Sequence, residues 1–378
     1  MKPTLELITE EESFYQLENE WNSLLQESEA NSIFLTWEWM STWWSFFGDE
    51  GQLWIVVARS PDSGSILGLA PLYLHDSTLI PGFLPHHHEL GFLGANEIAP
   101  DHLDFIVRKG YEHTVASELI EYIYSNVKWD ILRFEGLSSK SPLNRLLKSR
   151  LSSWGNNLIL KTGAILQLPD NWETYHATLG KTLRKNLRKD AQKLERDHPG
   201  QVQLSRANNQ NEIKATLQAL FHLANKVSEM HGSVYTLGPA VMREFHYQLA
   251  NALHDKNWVR IYKIAIGDKI IAALYSYHYN DVISGYQMAY DLSWKDYHLG
   301  TQILAHSIKQ SIEEKAQVYD FLRGEHSYLS QWTNEQQHDY YYKLGHNIKG
   351  KILVSLYAIA YHLRIWILEL RERLTKSR

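Results

Sequence analysis

Apolar positions switch repeatedly between alternating and helical spacing, and that switching outlines the elements. Leu5-Glu6-Leu7-Ile8 alternates as a strand, and Phe14, Leu17, Trp21 and Leu24/Leu25 share one face of a helix over 11–27. Thr36 is an N-cap for a second helix that ends near Gly48. Strands are predicted at 53–59 and 66–74, joined by the turn Ser60-Pro61-Asp62-Ser63-Gly64, then at 89–93, 103–107 and 129–134, with a helix at 112–125. The second half predicts helices at 171–197 (broken near Gly180), 209–230, 239–254 and 301–315. Its strands are predicted at 258–266, 270–279, 282–290 and 318–322, and a long helical pattern runs over 349–374.

The two halves repeat one order of elements. Gly110 precedes a helix and then the strand Trp129-Asp130-Ile131-Leu132-Arg133, and Gly300 precedes a helix and then Tyr319-Asp320-Phe321-Leu322-Arg323. Upstream, Ile66-Leu67-Gly68-Leu69-Ala70 parallels Ile270-Ile271-Ala272-Ala273-Leu274, each after a turn that contains glycine. An internal duplication of an α/β unit with a mixed sheet follows. The expected divisions are 1–160, 161–346 and a C-terminal amphipathic helix at 347–378.

Composition narrows the function classes. The chain has 378 residues and a formal net charge of −5, which argues against an overall basic nucleic-acid coat. Cysteine is absent, which removes disulfides, thiolate nucleophiles and iron–sulfur ligation. No apolar stretch is long enough and charge-free enough to span a bilayer, so a cytoplasmic protein is expected. The mild average charge conceals two basic elements. Residues 181–198 carry seven Lys/Arg against three Asp/Glu, and 343–378 carry eight against two. The first is either a solvated helix face or a surface for a phosphorylated donor, a polyanion or RNA. The second, with Leu356, Ile359, Leu363, Trp366/Ile367, Leu370 and Leu374 at helical spacing, docks on protein or lies on the anionic inner face of a membrane.

Three motifs carry a family resemblance. The first is Phe34-Leu35-Thr36-Trp37-Glu38-Trp39 with Trp43-Trp44 and Phe47-Gly48. The second is Asp101-His102-Leu103-Asp104-Phe105-Ile106. The third is Tyr290-Asp291, Leu299-Gly300-Thr301 and Asp320-Phe321-Leu322-Arg323-Gly324-Glu325, with Tyr328 and Trp332 beyond. In order, they resemble the CelD-type, FemAB-like tandem acyltransferases, built from two GNAT-like domains. The resemblance covers about 5–345. It implies an α/β (α+β) fold and N-acyl transfer from acetyl-CoA or another acyl-CoA, with no metal. The implied acceptor is an amine, such as an aminosugar or a cell-envelope polysaccharide precursor. FemAB relatives use aminoacyl-tRNA as donor, which is the alternative, and a non-catalytic scaffold is a third reading.

Site residues follow from that chemistry. Transfer needs a deprotonated amine and a proton for the leaving group. The strand end with Asp320, Arg323 and Glu325, followed by Tyr328, supplies candidates for both, with Asp320, Glu325 and Tyr328 as the catalytic set. The resemblance implies donor contacts at Gln287, Met288, Gly300 and Thr301. A usual pyrophosphate loop has two spaced glycines, and here only Gly300 stands before the helix. Acceptor contacts are expected from Trp37, Trp39, His102, Asp104, Tyr290, Arg323 and Trp332. The tryptophans read first as a packed helix face, with the acceptor wall as the sharper alternative. His86-His87-His88-Glu89 is metal-ligand material by type, but three adjacent imidazoles on a strand cannot converge on one ion.

Overall fold

The computed structural model describes residues 2–376 except 79–85, 96, 97, 99, 127, 128, 151–155, 231–236 and 324–326. The chain forms two compact units, one of 1–95, 100–161 and 338–378, the other of 96–99 and 162–337.

In the first unit, β1 (Thr4–Ile8) leads into α1 (Glu11–Gln16), α2 (Glu18–Gln26) and α3 (Trp37–Phe47). The predicted 11–27 helix breaks at Leu17, and Thr36 caps α3 by accepting from the Trp39 amide. Next come β2 (Gly51–Leu53), β3 (Ile55–Arg59), β4 (Ile66–Ala70), β5 (Leu72–Ser77), β6 (His87–Phe92) and β7 (Ile106–Val107). The predicted 66–74 strand is interrupted at Pro71, which lacks the ladder donor. β4 therefore joins β1, β3 and β7 in one sheet, while β5 pairs with β2 and β6. α4 (Glu112–Asn126) crosses to β8 (Ile131–Ser138), which lies parallel to β6, and α5 (Pro142–Arg150) follows.

The second unit begins within β9 (Asn156–Gln167). α6 (Trp172–Thr178) and α7 (Lys181–Asp197) are separated at Leu179–Gly180, followed by β10 (Val202–Arg206), α8 (Gln210–Met230) and α9 (Ala240–Asp255). β11 (Val259–Ile266), β12 (Lys269–Tyr279) and β13 (Val282–Tyr290) form an antiparallel meander. α10 (Leu299–Glu313) then crosses to β14 (Val318–Arg323), which is parallel to β13. The order within this unit is β10-β11-β12-β13-β14-β9. Both units thus contain a hairpin, a further strand, a crossover helix and a parallel strand. One core cluster of the second unit lies on the face covered by α10, where Tyr262, Leu274 and Ile283 share it with Leu299, Ile303 and Ile308.

The chain returns to the first unit through β15 (Gln336–Gly345), which pairs antiparallel with β8. α11 (Ile348–Lys376) follows. Leu353, Val354 and Tyr357 pack it against Ile131, and Lys349 and Asn347 bond the Asp130 carboxylate. Asp130 therefore anchors this helix. Its other side exposes Ile348, Ile352, Ile359, Leu363 and Trp366. Among the described residues, no helix is long and apolar enough to cross a membrane.

Two expected acceptor contacts are core residues instead. Trp39 is fully buried with its indole N–H donated to the Gly94 carbonyl, and Trp37 packs against Phe14 and Trp21. Their ring faces are already occupied, so neither forms an acceptor wall. Asp104 is buried too: its carboxylate accepts from the Phe105 amide. Burial raises its pKa to about 7, against smaller opposing contributions from Ser141 and that amide. Stability is therefore lost as pH rises from the unfolded carboxylate range toward 7, where the native side chain keeps a proton that the unfolded chain releases. Asp104→Asn is expected to raise stability by on the order of 2–4 kcal/mol at pH 8 and far less at pH 4.5. Denaturant melts at both pH values measure this. Equal gains at the two would refute it.

Candidate active site

The site is built where β13 leaves β14. The two strands pair over only three positions, Val282–Ser284 with Val318–Asp320. On its other edge β13 stays paired with β12 through Tyr290. There Ser276 opposes Gly285 and Tyr275 opposes Gln287, so Tyr286 is an extra, bulged residue. The bulge re-aims the strand just beyond the last contact with β14. Tyr286 donates its hydroxyl to the Ile98 carbonyl.

β14 bends at the same level. Its pairing with β9 skips from Asp320–Ile165 to Arg323–Gly163, and Leu322 takes a left-handed φ of 57°. A β-branch-free but bulky residue rarely adopts that backbone unaided. The Asp320 carboxylate supplies the support, accepting from the Leu322 amide at 2.7 Å and from the Gln337 side chain at 2.7 Å. Gly163 makes the bend possible, because a Cβ there would lie 2.6 Å from the Leu322 carbonyl oxygen. Asp320 is therefore a buried anchor for the bend.

The β13–α10 connection closes the other end. A 3-10 turn over Leu292–Tyr297 is capped by Asp291, which accepts from the amide and hydroxyl of Ser293 and pairs with Lys269. His298, the residue before α10, is left-handed at φ 47° and ψ 47°. A glycine normally occupies such a position. Here the imidazole Nδ1 lies 2.9 Å from a carboxylate oxygen of Asp190 on α7. Tyr297 bonds Asp197, and Lys193 bonds the Asp296 carbonyl, so α7 clamps the loop at three points.

Several expected donor and acceptor contacts converge here. Gly300 fits against Tyr290 and Met288: a Cβ would stand 3.0 Å from the Tyr290 ring and 3.4 Å from the Met288 methyl. Gln287 is partly exposed on the same strand. Thr301 lies in the first turn of α10, its amide bonded to the His298 carbonyl. The Tyr328 hydroxyl is shifted above its ordinary value by burial and then by neighbouring Tyr290, so it stays protonated at neutral pH. Trp332 is buried. It lines a cavity of about 580 Å³ with Tyr175, whose hydroxyl donates to the Trp332 carbonyl. Arg323 sits at the bend of β14. Glu325 lies outside the described residues. His102 and Asp104 belong to the first unit, where the His102 Nδ1 is 3.4 Å from Asp339.

Sequence spacing missed the Asp190–His298 clamp, the Gln337 bond to Asp320 and the Tyr286 bulge. A histidine standing where a loop glycine is usual was the available signal for the first.

Residues 181–330 match the acetyltransferase (GNAT) domain family. No curated protein sequence matches the chain. Among solved structures, FemX superposes with a TM-score of 0.59 at 9% identity, covering 90% of this chain and 96% of that one. A conserved protein of unknown function from Bacteroides thetaiotaomicron VPI-5482 gives 0.52 at 11%, covering 91% and 99%. The C-terminal DUF2156 domain of a putative lysylphosphatidylglycerol synthetase from Agrobacterium fabrum gives 0.51 at 9%, covering 91% and 96%.

The clamp gives a direct test. Asp190→Ala is expected to cost about 1–2 kcal/mol in denaturant unfolding. The same change made in a His298→Gly background should cost clearly less, since glycine takes the left-handed backbone without help. Equal costs in both backgrounds would show that Asp190 does not support His298. Residues 181–330 thus match the acetyltransferase (GNAT) domain family, and the chain shares the fold of FemX along nine-tenths of its length.

Proposed function

We propose that the chain is an N-acyltransferase that takes an acyl group from an acyl-CoA at the parting of β13 and β14 and passes it to an amine. The observation that carries this reading is the three-residue contact between those strands, followed by the Tyr286 bulge. Beyond Ser284, the β14-side edge of β13 has no described strand partner, so its backbone groups suit the amides of a pantetheine arm. The arm would run toward the start of α10, where helix N–H groups attract phosphate.

In the transfer step the amine nitrogen attacks the thioester carbonyl. A C–N bond forms and the C–S bond breaks. The amine proton passes to water, and the thiolate takes a proton. Tyr328, kept protonated by burial and by neighbouring Tyr290, would hydrogen-bond the leaving sulfur. Asp320 holds the β14 bend that gives the thioester its place. An aminosugar of an envelope polysaccharide is the acceptor class to assay first, on the strength of the motif resemblance.

Calorimetry with acetyl-CoA and longer acyl-CoAs tests the donor. Binding is expected for at least one of them. Thr301→Asp, which puts a carboxylate in the first turn of α10, should weaken it at least tenfold. Folding should be preserved, because an acidic residue suits a helix N-terminus. No heat with any acyl-CoA from the folded wild-type chain would remove the proposal.

A further inference from the structure

A second cavity in the 162–337 unit has a composition of its own. It measures about 690 Å³, within the range of small-molecule sites, and lies among α6, α7, α10 and β10. Its walls carry Lys181, Arg184, Lys185 and Arg188 from α7 and Lys309 from α10, with no Asp or Glu lining it. The first four make no ion pair with any described residue, while Lys309 has a loose pair 3.8 Å from Glu313. The Arg184 Nε is buried and lacks a hydrogen-bond partner. Cations gathered without counter-charge around one open groove repel one another, and a buried guanidinium N–H left unpaired is costly. An anion in the groove relieves the repulsion.

The cavity is also more than a charged patch. Trp172, Leu187, Ala191, Leu204 and Ala305 give it an apolar floor, and His176 and His306 border it. Free phosphate or sulfate would leave that floor wet. Gln302, Ala305, His306 and Lys309 recur at helical spacing on one face of α10, so the cavity is framed by rigid helices. The β13–β14 parting uses different residues, namely Met288, Tyr290, Gly300 and Tyr328.

We infer that this cavity is a binding site for a small phosphorylated molecule with an apolar or aromatic body. Arg184 and Arg188 receive the phosphate, for which the planar guanidinium is suited. Trp172 and Leu204 receive the body.

The test uses the full chain and three probes: inorganic phosphate, ADP for an aromatic body and dodecyl phosphate for an alkyl body. One organic phosphate should bind at least ten times tighter than inorganic phosphate. Which of the two does so tells the body type. Arg184→Gln with Arg188→Gln should weaken that binding at least tenfold with unchanged melting, and Leu204→Asp should weaken it as well. The inference is overturned if neither organic probe exceeds inorganic phosphate, or if the double variant binds like the wild type. It is also overturned if ADP binding is lost in Thr301→Asp but kept in the double variant, since that binding would belong to the acyl-donor site. A transcript of tRNA that binds this face and resists displacement by both probes would assign it to nucleic acid instead.

Discussion

The 162–337 unit depends on a single backbone event, the separation of two parallel strands after three paired residues. A parallel ladder that stops early leaves polar backbone groups without partners, which a compact fold tolerates only where something else can bond them. Both strands are bent for it. β13 carries an extra residue at Tyr286, and β14 carries a left-handed Leu322 held by the Asp320 carboxylate and accommodated by Gly163. The buried Asp320 side chain is thus tied to strain in the strand beside it, which is where folds store the cost of an open site.

A second constraint acts on the far end of the same opening. α7 carries Asp190, Lys193 and Asp197 on the side that meets the β13–α10 loop, and Lys181, Arg184, Lys185 and Arg188 around the basic cavity. One helix therefore does two things. Its C-terminal half fixes the loop before α10, and its N-terminal half leaves a concentration of uncompensated cations. The net charge of −5 hides this, because the acidic remainder of the chain outweighs it.

Much of the fold was legible in the sequence because its periodic segments are long. β13 falls on the predicted 282–290, α8 and α9 lie within a residue of expectation, and the break near Gly180 separates α6 from α7. β9, β10, β15 and α5 were not legible. β10 reads Val-Gln-Leu-Ser-Arg with little apolar content, and β15 is largely tyrosine and polar residues whose partner, β8, lies some 200 positions away. Long-range pairing leaves no local periodic signature. The site was legible in part. Gly300, Met288 and Tyr290 were named from the motif resemblance, and they lie against one another at the strand–helix junction. The bond from the Leu322 amide to the Asp320 carboxylate was not legible, because residue type does not show that a carboxylate binds its own backbone. Trp37 and Trp39 were ambiguous for a related reason, since tryptophans in a capped helix fit a core as well as a sugar.

The central claim is that the opening beyond Ser284 receives a thioester donor along β13. Amide chemical shifts of the 15N-labelled chain during titration with the tightest-binding acyl-CoA test it most directly. The account predicts saturable shifts concentrated at Gly285–Tyr290 and at Gly300–Thr301. Shifts confined to other parts of the chain, with these amides unmoved at saturation, would contradict it.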